Sequence, residues 1–244
     1  MKDYKQVVKE RFDRENMDQP SIYAPDQPIG IYSRKILFRA LHEMLEAAIL
    51  PKGPLDTLRL LDVGCGNGEM LEFMMNEGFS QEHLAGVDFS SVRIEKAKGK
   101  FPNIHFDVAD ITLPLPFNEV FDVVTAFDLF SHLSNEKQLL AGLKSVSDVL
   151  PMDGLFLWYD IAALDHFGSP HGADSWGFSK AQMIDLANRS GFEVVHYKGI
   201  FRNFFNRYHS LYQAKRVSHS VLRVLEKLLP GRPGNHIFVF VKRS

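Results

Sequence analysis

Residues 60–71, Leu-Leu-Asp-Val-Gly-Cys-Gly-Asn-Gly-Glu-Met-Leu, limit what this chain can fold into more than any other stretch. An apolar run ends at Asp62, glycines follow at 64, 66 and 68, and a helical pattern begins at Glu69. That order specifies a strand, a tight turn and a helix N-terminus. Gly64, Gly66 and Gly68 let the backbone reach φ > 0 and keep side chains out of a ligand's way. A ligand landing there meets unpaired helix N–H groups and the positive end of a helix dipole, which suits an anionic group. Two nucleotide patterns are not met. The dinucleotide fingerprint Gly-x-Gly-x-x-Gly, counted from Gly64, puts Glu69 at its third glycine, and Gly68 is not followed by the Lys-Ser/Thr of a P-loop. A carboxylate at the helix start repels a pyrophosphate and tolerates or attracts a cation.

Downstream, strand patterns alternate with helical ones. Strands are expected at 58–63, 83–88, 104–108, 121–126, 155–159, 192–197 and 236–241. Helices are expected at 69–77, 92–100, 136–150 and 180–190. Such alternation predicts an α/β, Rossmann-like, doubly wound seven-stranded sheet, mostly parallel, with helices on both faces. In such a sheet ligands bind beyond the carboxyl ends of the strands, at the switch in strand order. Upstream, a mixed-charge helix over 4–16 precedes a segment broken by Pro20, Pro25 and Pro28, and a second helix spans 32–50. Residues 1–54 are thus an expected helical lid, and 55–244 the main domain.

A segment at 200–233 interrupts the pattern before the last strand. Its apolar residues recur every three or four positions, so a helical insert is expected. It carries Arg202, Arg207, Lys215, Arg216, Arg223, Lys227 and Arg232 against the single acid Glu226. A basic amphipathic segment can pack as a cap with a solvated face, cover a substrate, touch an anionic membrane or form a homodimer interface. Over the whole chain charge is nearly balanced, at −2 net, which gives no reason to expect a nucleic-acid partner. One cysteine rules out an internal disulfide, and no Cys/His cluster has zinc spacing, so no metal is expected. No run approaches the ~18 apolar residues of a membrane span, and the first residues lack an apolar leader, so a cytoplasmic location is expected.

Asp62-x-Gly64-x-Gly66-x-Gly68 resembles motif I of the class I S-adenosylmethionine methyltransferases. The likeness covers residues 55–160 with specific motifs, and Gly191-Phe192-Glu193-Val194 extends it. It implies S-adenosylmethionine as cofactor and S-adenosylhomocysteine as product, with Asp62, Gly64, Cys65, Gly66 and Gly68 at the first strand end. Asp88, followed by Phe89, ends the second strand, where a lone carboxylate can take two ribose hydroxyls; a helix-capping role for Asp88 is the alternative. The resemblance puts Asp110 on the adenine amino group and Ile111 against the ring, with Asp107 as a local rival. Phe127 to His132, after the fourth strand, would wall the transferable methyl. Arg34 and Tyr23 are the candidates from the lid for the cofactor's carboxylate, although Arg34 could equally face solvent.

Methyl transfer needs alignment and, for a hydroxyl acceptor, a base. His132, Asp128 and Asp160 are the candidates, with His166 and His171 next. The sequence lacks the Asn-Pro-Pro-Tyr type motif of nucleic-acid N-methyltransferases and a metal set like that of catechol-type O-methyltransferases. The expected reaction is metal-free in-line O-methylation of a small molecule or glycan, such as a sugar or sugar phosphate. The narrower likeness is to bacterial enzymes of surface-polysaccharide or secondary-metabolite synthesis. Two rivals stand: an oxidoreductase of related architecture, and a cofactor-binding partner without transfer activity.

Overall fold

The computed structural model describes residues 8–10, 13, 28–162, 170–172, 175–202, 220, 221, 224, 228 and 232–244. Five strands built from the expected apolar runs come first: β1 (Leu60–Val63), β2 (Leu84–Asp88), β3 (His105–Val108), β4 (Val123–Phe127) and β5 (Leu155–Ile161). After them come the short pair β6 (Pro170–Gly172) and β7 (Ser175–Trp176), then β8 (Phe192–Arg202) and β9 (Pro233–Lys242). The seven-stranded sheet has the order β3-β2-β1-β4-β5-β9-β8, and β6 pairs with β7 separately. The β1–β5 pairings are parallel, whereas β9 runs antiparallel to both β5 and β8. The order reverses between β1 and β4, so the loops after β1, β2 and β4 open on one crevice.

The long helices among the described residues are α1 (Pro28–Met44), α2 (Glu69–Glu77), α3 (Ser91–Lys100), α4 (Glu136–Asp148) and α5 (Lys180–Arg189). Polar side chains start three of them. Ser90 accepts from the Arg93 N–H at 3.3 Å, Asn135 from the Gln138 N–H at 3.0 Å, and Ser179 with Gln182 forms a reciprocal capping box. Gly78, at φ 118, ends α2.

Each sheet face has its own core. α1, α2 and α3 pack Leu41, Leu71, Met74 and Ile94, with Leu45 just past α1, against Leu60, Leu157 and Val239 on one face. α4 and α5 pack Leu139, Leu143, Val146 and Met183 against Val124, Phe156, Trp158, Phe238 and Phe240 on the other. Fully burying one such side chain is worth ~1.5–3 kcal/mol. The sheet is therefore a rigid floor, and the loops at its carboxyl edge can carry a site.

Most element ends fall within a few residues of the sequence reading; the larger differences lie in the N-terminal helix and at 200–233. The second helix begins at Pro28 rather than Tyr32, because a proline's fixed φ suits a first helical turn and needs no N–H partner there. It leaves the α-form at Leu45–Ile49, a π-turn, and ends before Gly53 at φ 153. The segment expected as a helical insert starts and ends as strand: β8 runs to Arg202, which pairs with Pro233 of β9. Ser220, Val221, Val224 and Leu228 are helical and exposed. Arg207 and Arg216 lie outside the described residues. No helix among the described residues is long and apolar enough to cross a membrane.

Candidate active site

The strand ends converge on a cavity of ≈ 840 Å³, within the usual ~300–1,000 Å³ range of small-molecule sites. One end is built by β1, β2 and β3. Gly64 turns at φ 76, and its N–H donates to the Val87 carbonyl at 2.7 Å. The Cys65 N–H reaches the same carbonyl at 3.0 Å, which staples the glycine turn to β2. Added at Gly64, a Cβ would lie 3.1 Å from the Leu129 side chain, so the turn and the loop after β4 meet without room for one.

Asp88 is the hub of this end. Its Oδ2 accepts from the Gly66 N–H at 2.9 Å and its Oδ1 from the Ser90 N–H at 2.8 Å. Ser90 rather than Asp88 caps α3. Each carboxylate oxygen has two lone pairs, so fixing one on each leaves capacity for two hydroxyl donors. Asp62 lies on β1 in register with Thr125 of β4, whose hydroxyl donates to it at 2.7 Å. Burial pushes the Asp62 carboxyl up to about 7; the Thr125 bond opposes that rise and the Asp88 charge adds to it. Burial also raises the Cys65 thiol, which is therefore un-ionised at neutral pH. Asp110 lines the cavity and is held by Thr112 through its N–H at 2.9 Å and its hydroxyl at 2.7 Å. Its rival Asp107 instead pairs with His105 at 2.9 Å, away from the cavity lining.

Of the remaining residues expected at the cofactor, Gly66, Phe89, Ile111, Phe127 and Arg34 line the cavity. Arg34 of α1 donates to Glu69 at 2.6 Å, so the helix-start acid and this cation hold each other. Gly68 lies outside the lining and shapes the turn as the residue before α2, at φ 83. Tyr23 and His166 fall outside the described residues.

The other end is built by β4, β5, β8 and β9. Asp128 and His132 line it, and Asp128 is exposed to the cavity. Asp160 does not line it. Its carboxylate is fully buried and accepts from the Ser131 N–H at 3.1 Å, Trp158 Nε1 at 3.1 Å and the Ile161 N–H at 3.2 Å. Burial raises both carboxyls, and the charge of Asp160 raises Asp128 further.

Other lining residues were not singled out from the sequence. Arg93 points its guanidinium toward the glycine turn, 3.6 Å from where a Gly66 Cβ would sit. Its place on the first turn of the helix after Asp88 was the available signal. Tyr159 and Ile161 line the far end by strand alternation with Trp158 and Asp160. Phe201 and Asn235 arrive from β8 and β9. From the N-terminal residues, Val8 lines the cavity, and Asp13, bonded to Lys9 at 2.6 Å, accepts from the Ser90 hydroxyl. No group of three or more His, Cys, Asp or Glu among the described residues could hold a metal ion.

Comparison with known proteins agrees with this geometry. Residues 31–197 match the family model described as a methyltransferase domain. The chain is 29% identical over 104 residues to a malonyl-[acyl-carrier protein] O-methyltransferase of Bacillus anthracis, covering 42% of this chain and 37% of that one. It is 35% identical over 85 residues to phosphoethanolamine N-methyltransferase 1 of Triticum aestivum, covering 33% and 17%. The chain thus spans less than half the length of these curated relatives. Among solved structures, magnesium protoporphyrin IX methyltransferase of Synechocystis PCC 6803, with bound S-adenosylmethionine, superposes with a TM-score of 0.64. The match covers 100% of this chain and 99% of that one at 15% identity, a likeness of fold. The protein belongs to the methyltransferase-domain family and has the fold of the S-adenosylmethionine-dependent class I enzymes that its sequence resembles.

Proposed function

We propose that the protein transfers a methyl group from S-adenosylmethionine to a small-molecule acceptor at the β4–β5 end of the cavity. The observation that carries this reading is the Asp88 carboxylate, fixed by Gly66 and Ser90 beside a turn whose glycines leave the opening clear. The donor set fits the cofactor: a carboxylate for a diol, a second buried carboxylate for a cation, and Arg34 at the lid for an anion. When bound, that cofactor supplies a methyl carbon activated by positive sulfur. The protein's part is to align the acceptor and exclude water, effects that can supply ~7–11 kcal/mol. A cavity that continues past Phe127 to Tyr159 and Phe201 supports an enzyme over a cofactor-binding partner without transfer activity.

The finer reading from the sequence, O-methylation of a sugar or sugar phosphate, drew on the basic segment 200–233, most of which lies outside the described residues. The described lining is acidic: Asp62, Glu69, Asp88, Asp110 and Asp128 against Arg34 and Arg93. That balance supports an uncharged or cationic acceptor over a polyanion. The test is release of S-adenosylhomocysteine with pooled small amines, alcohols, carboxylic acids and sugar phosphates. Acceptor-dependent release is expected. Cofactor binding without release in any pool would favour the non-catalytic partner.

Asp62 gives the reading a pH signature. Its folded-state value near 7 lies above the ordinary 3.8. The stability it contributes is therefore full below the unfolded value and is lost as pH rises through 7. A cationic ligand prefers the ionised form, so affinity for S-adenosylmethionine should be about tenfold higher at pH 8 than at pH 6. Asp62→Asn should flatten the profile in calorimetric titrations, which assigns it to this carboxyl.

A further inference from the structure

The acceptor end holds a carboxylate that the cofactor end does not require. Asp128 adopts φ 48, a left-handed backbone uncommon outside glycine, and its N–H donates to the Tyr159 carbonyl at 3.0 Å. This geometry sets an acid on a cavity wall that Phe127, Tyr159 and Phe201 also line, with the Phe127 and Tyr159 ring centroids 5.9 Å apart. Asp160 sits behind, fully buried and held by three N–H donors, one of which belongs to the turn Phe130–His132. The buried Asp160 charge opposes an anion at Asp128, and a cation or proton arriving at Asp128 relieves that repulsion. Aromatic faces add to the preference for a cation. On the α1 side, the cation Arg34 is engaged by Glu69.

We infer that Asp128 receives an acceptor bearing an ammonium group on an apolar body and takes its proton, making the protein an N-methyltransferase of a small amine. This rests on the methyl-transfer reading above. The ammonium and the Asp128 carboxylate become a neutral amine and a carboxylic acid. The freed nitrogen pair then forms the N–C bond as the C–S bond breaks, and the electrons of that bond stay on sulfur. The proton on Asp128 returns to solvent through the cavity.

Three probes share one body and differ in charge: 2-phenylethylamine, 2-phenylethanol and phenylacetate. Each is titrated calorimetrically into the full chain saturated with S-adenosylhomocysteine. The amine should bind at least about tenfold tighter than the alcohol. Asp128→Asn, which keeps the size and tolerates the backbone, should erase that difference. An alcohol or carboxylate that binds as well as the amine overturns the inference, as does a saturated protein that binds none of the three. So does an Asp128→Asn variant that loses S-adenosylhomocysteine but keeps the amine preference, since Asp128 would then serve the cofactor. Failure of the folded protein to bind S-adenosylhomocysteine at the outset would instead reject the methyl-transfer reading itself.

Discussion

Asp88→Ala is expected to weaken S-adenosylmethionine and S-adenosylhomocysteine binding by about 10²-fold or more. A hydrogen bond to a charged group is worth ~1.5–3 kcal/mol, so losing two hydroxyl contacts removes about 3–6 kcal/mol, at ~1.4 kcal/mol per tenfold. The substitution also takes the acceptor from the Gly66 and Ser90 N–H groups, so the glycine turn loses its brace. Asp88→Asn keeps one acceptor oxygen and should fall between the two. Calorimetry on samples with matched circular dichroism checks both, and an alanine variant that binds within threefold of wild type would remove Asp88 from the cofactor site.

Gly68→Ala should lower both stability and cofactor affinity. The residue stands at φ 83, and an added Cβ would lie 2.9 Å from the Phe101 ring, which is buried against α2 and α3. A left-handed non-glycine residue costs ~1–2 kcal/mol, and crowding a packed ring ~1–3 kcal/mol more. At ~2–4 °C per kcal/mol for a chain of this size, Tm should fall by about 5–15 °C. Gly99→Ala is the control. That glycine lies in α3 with nothing within 4 Å of a new Cβ, so alanine should stabilise by ~0.5–1 kcal/mol. Two glycine-to-alanine changes of opposite sign, read by thermal denaturation, separate the turn's geometry from a general tolerance of alanine.

Much of this site could be read from residue order alone, because strand ends and tight turns leave strong local signals. The Gly64–Gly68 turn, Asp88 at the end of β2 and Asp110 after β3 declare themselves through apolar runs that stop at a carboxylate. What the order of residues concealed was direction. Asp160 follows an apolar strand just as Asp88 does, but it shares parity with Trp158 and so enters the core under α4 and α5. Tyr159 and Ile161 take the cavity side instead. Alternation along β5 carried that information. Phe201 and Asn235 were harder. The ladder between Ile200 and Asn235 closes a pairing between residues 35 apart, and the helical periodicity of the intervening segment hid where the strands end. Arg93 and Val8 reach the cavity through tertiary packing, which no local pattern encodes.

The central claim is that the cavity at the carboxyl ends of β1, β2 and β4 is an S-adenosylmethionine site. The most direct measurement is a calorimetric titration of the full chain with S-adenosylmethionine, S-adenosylhomocysteine and NADH in parallel. One site per chain for the first two is predicted, with a Kd on the order of 1 μM or about −8 kcal/mol, and no heat with NADH. A folded protein that binds neither sulfur ligand, or that takes NADH in their place, would contradict the claim.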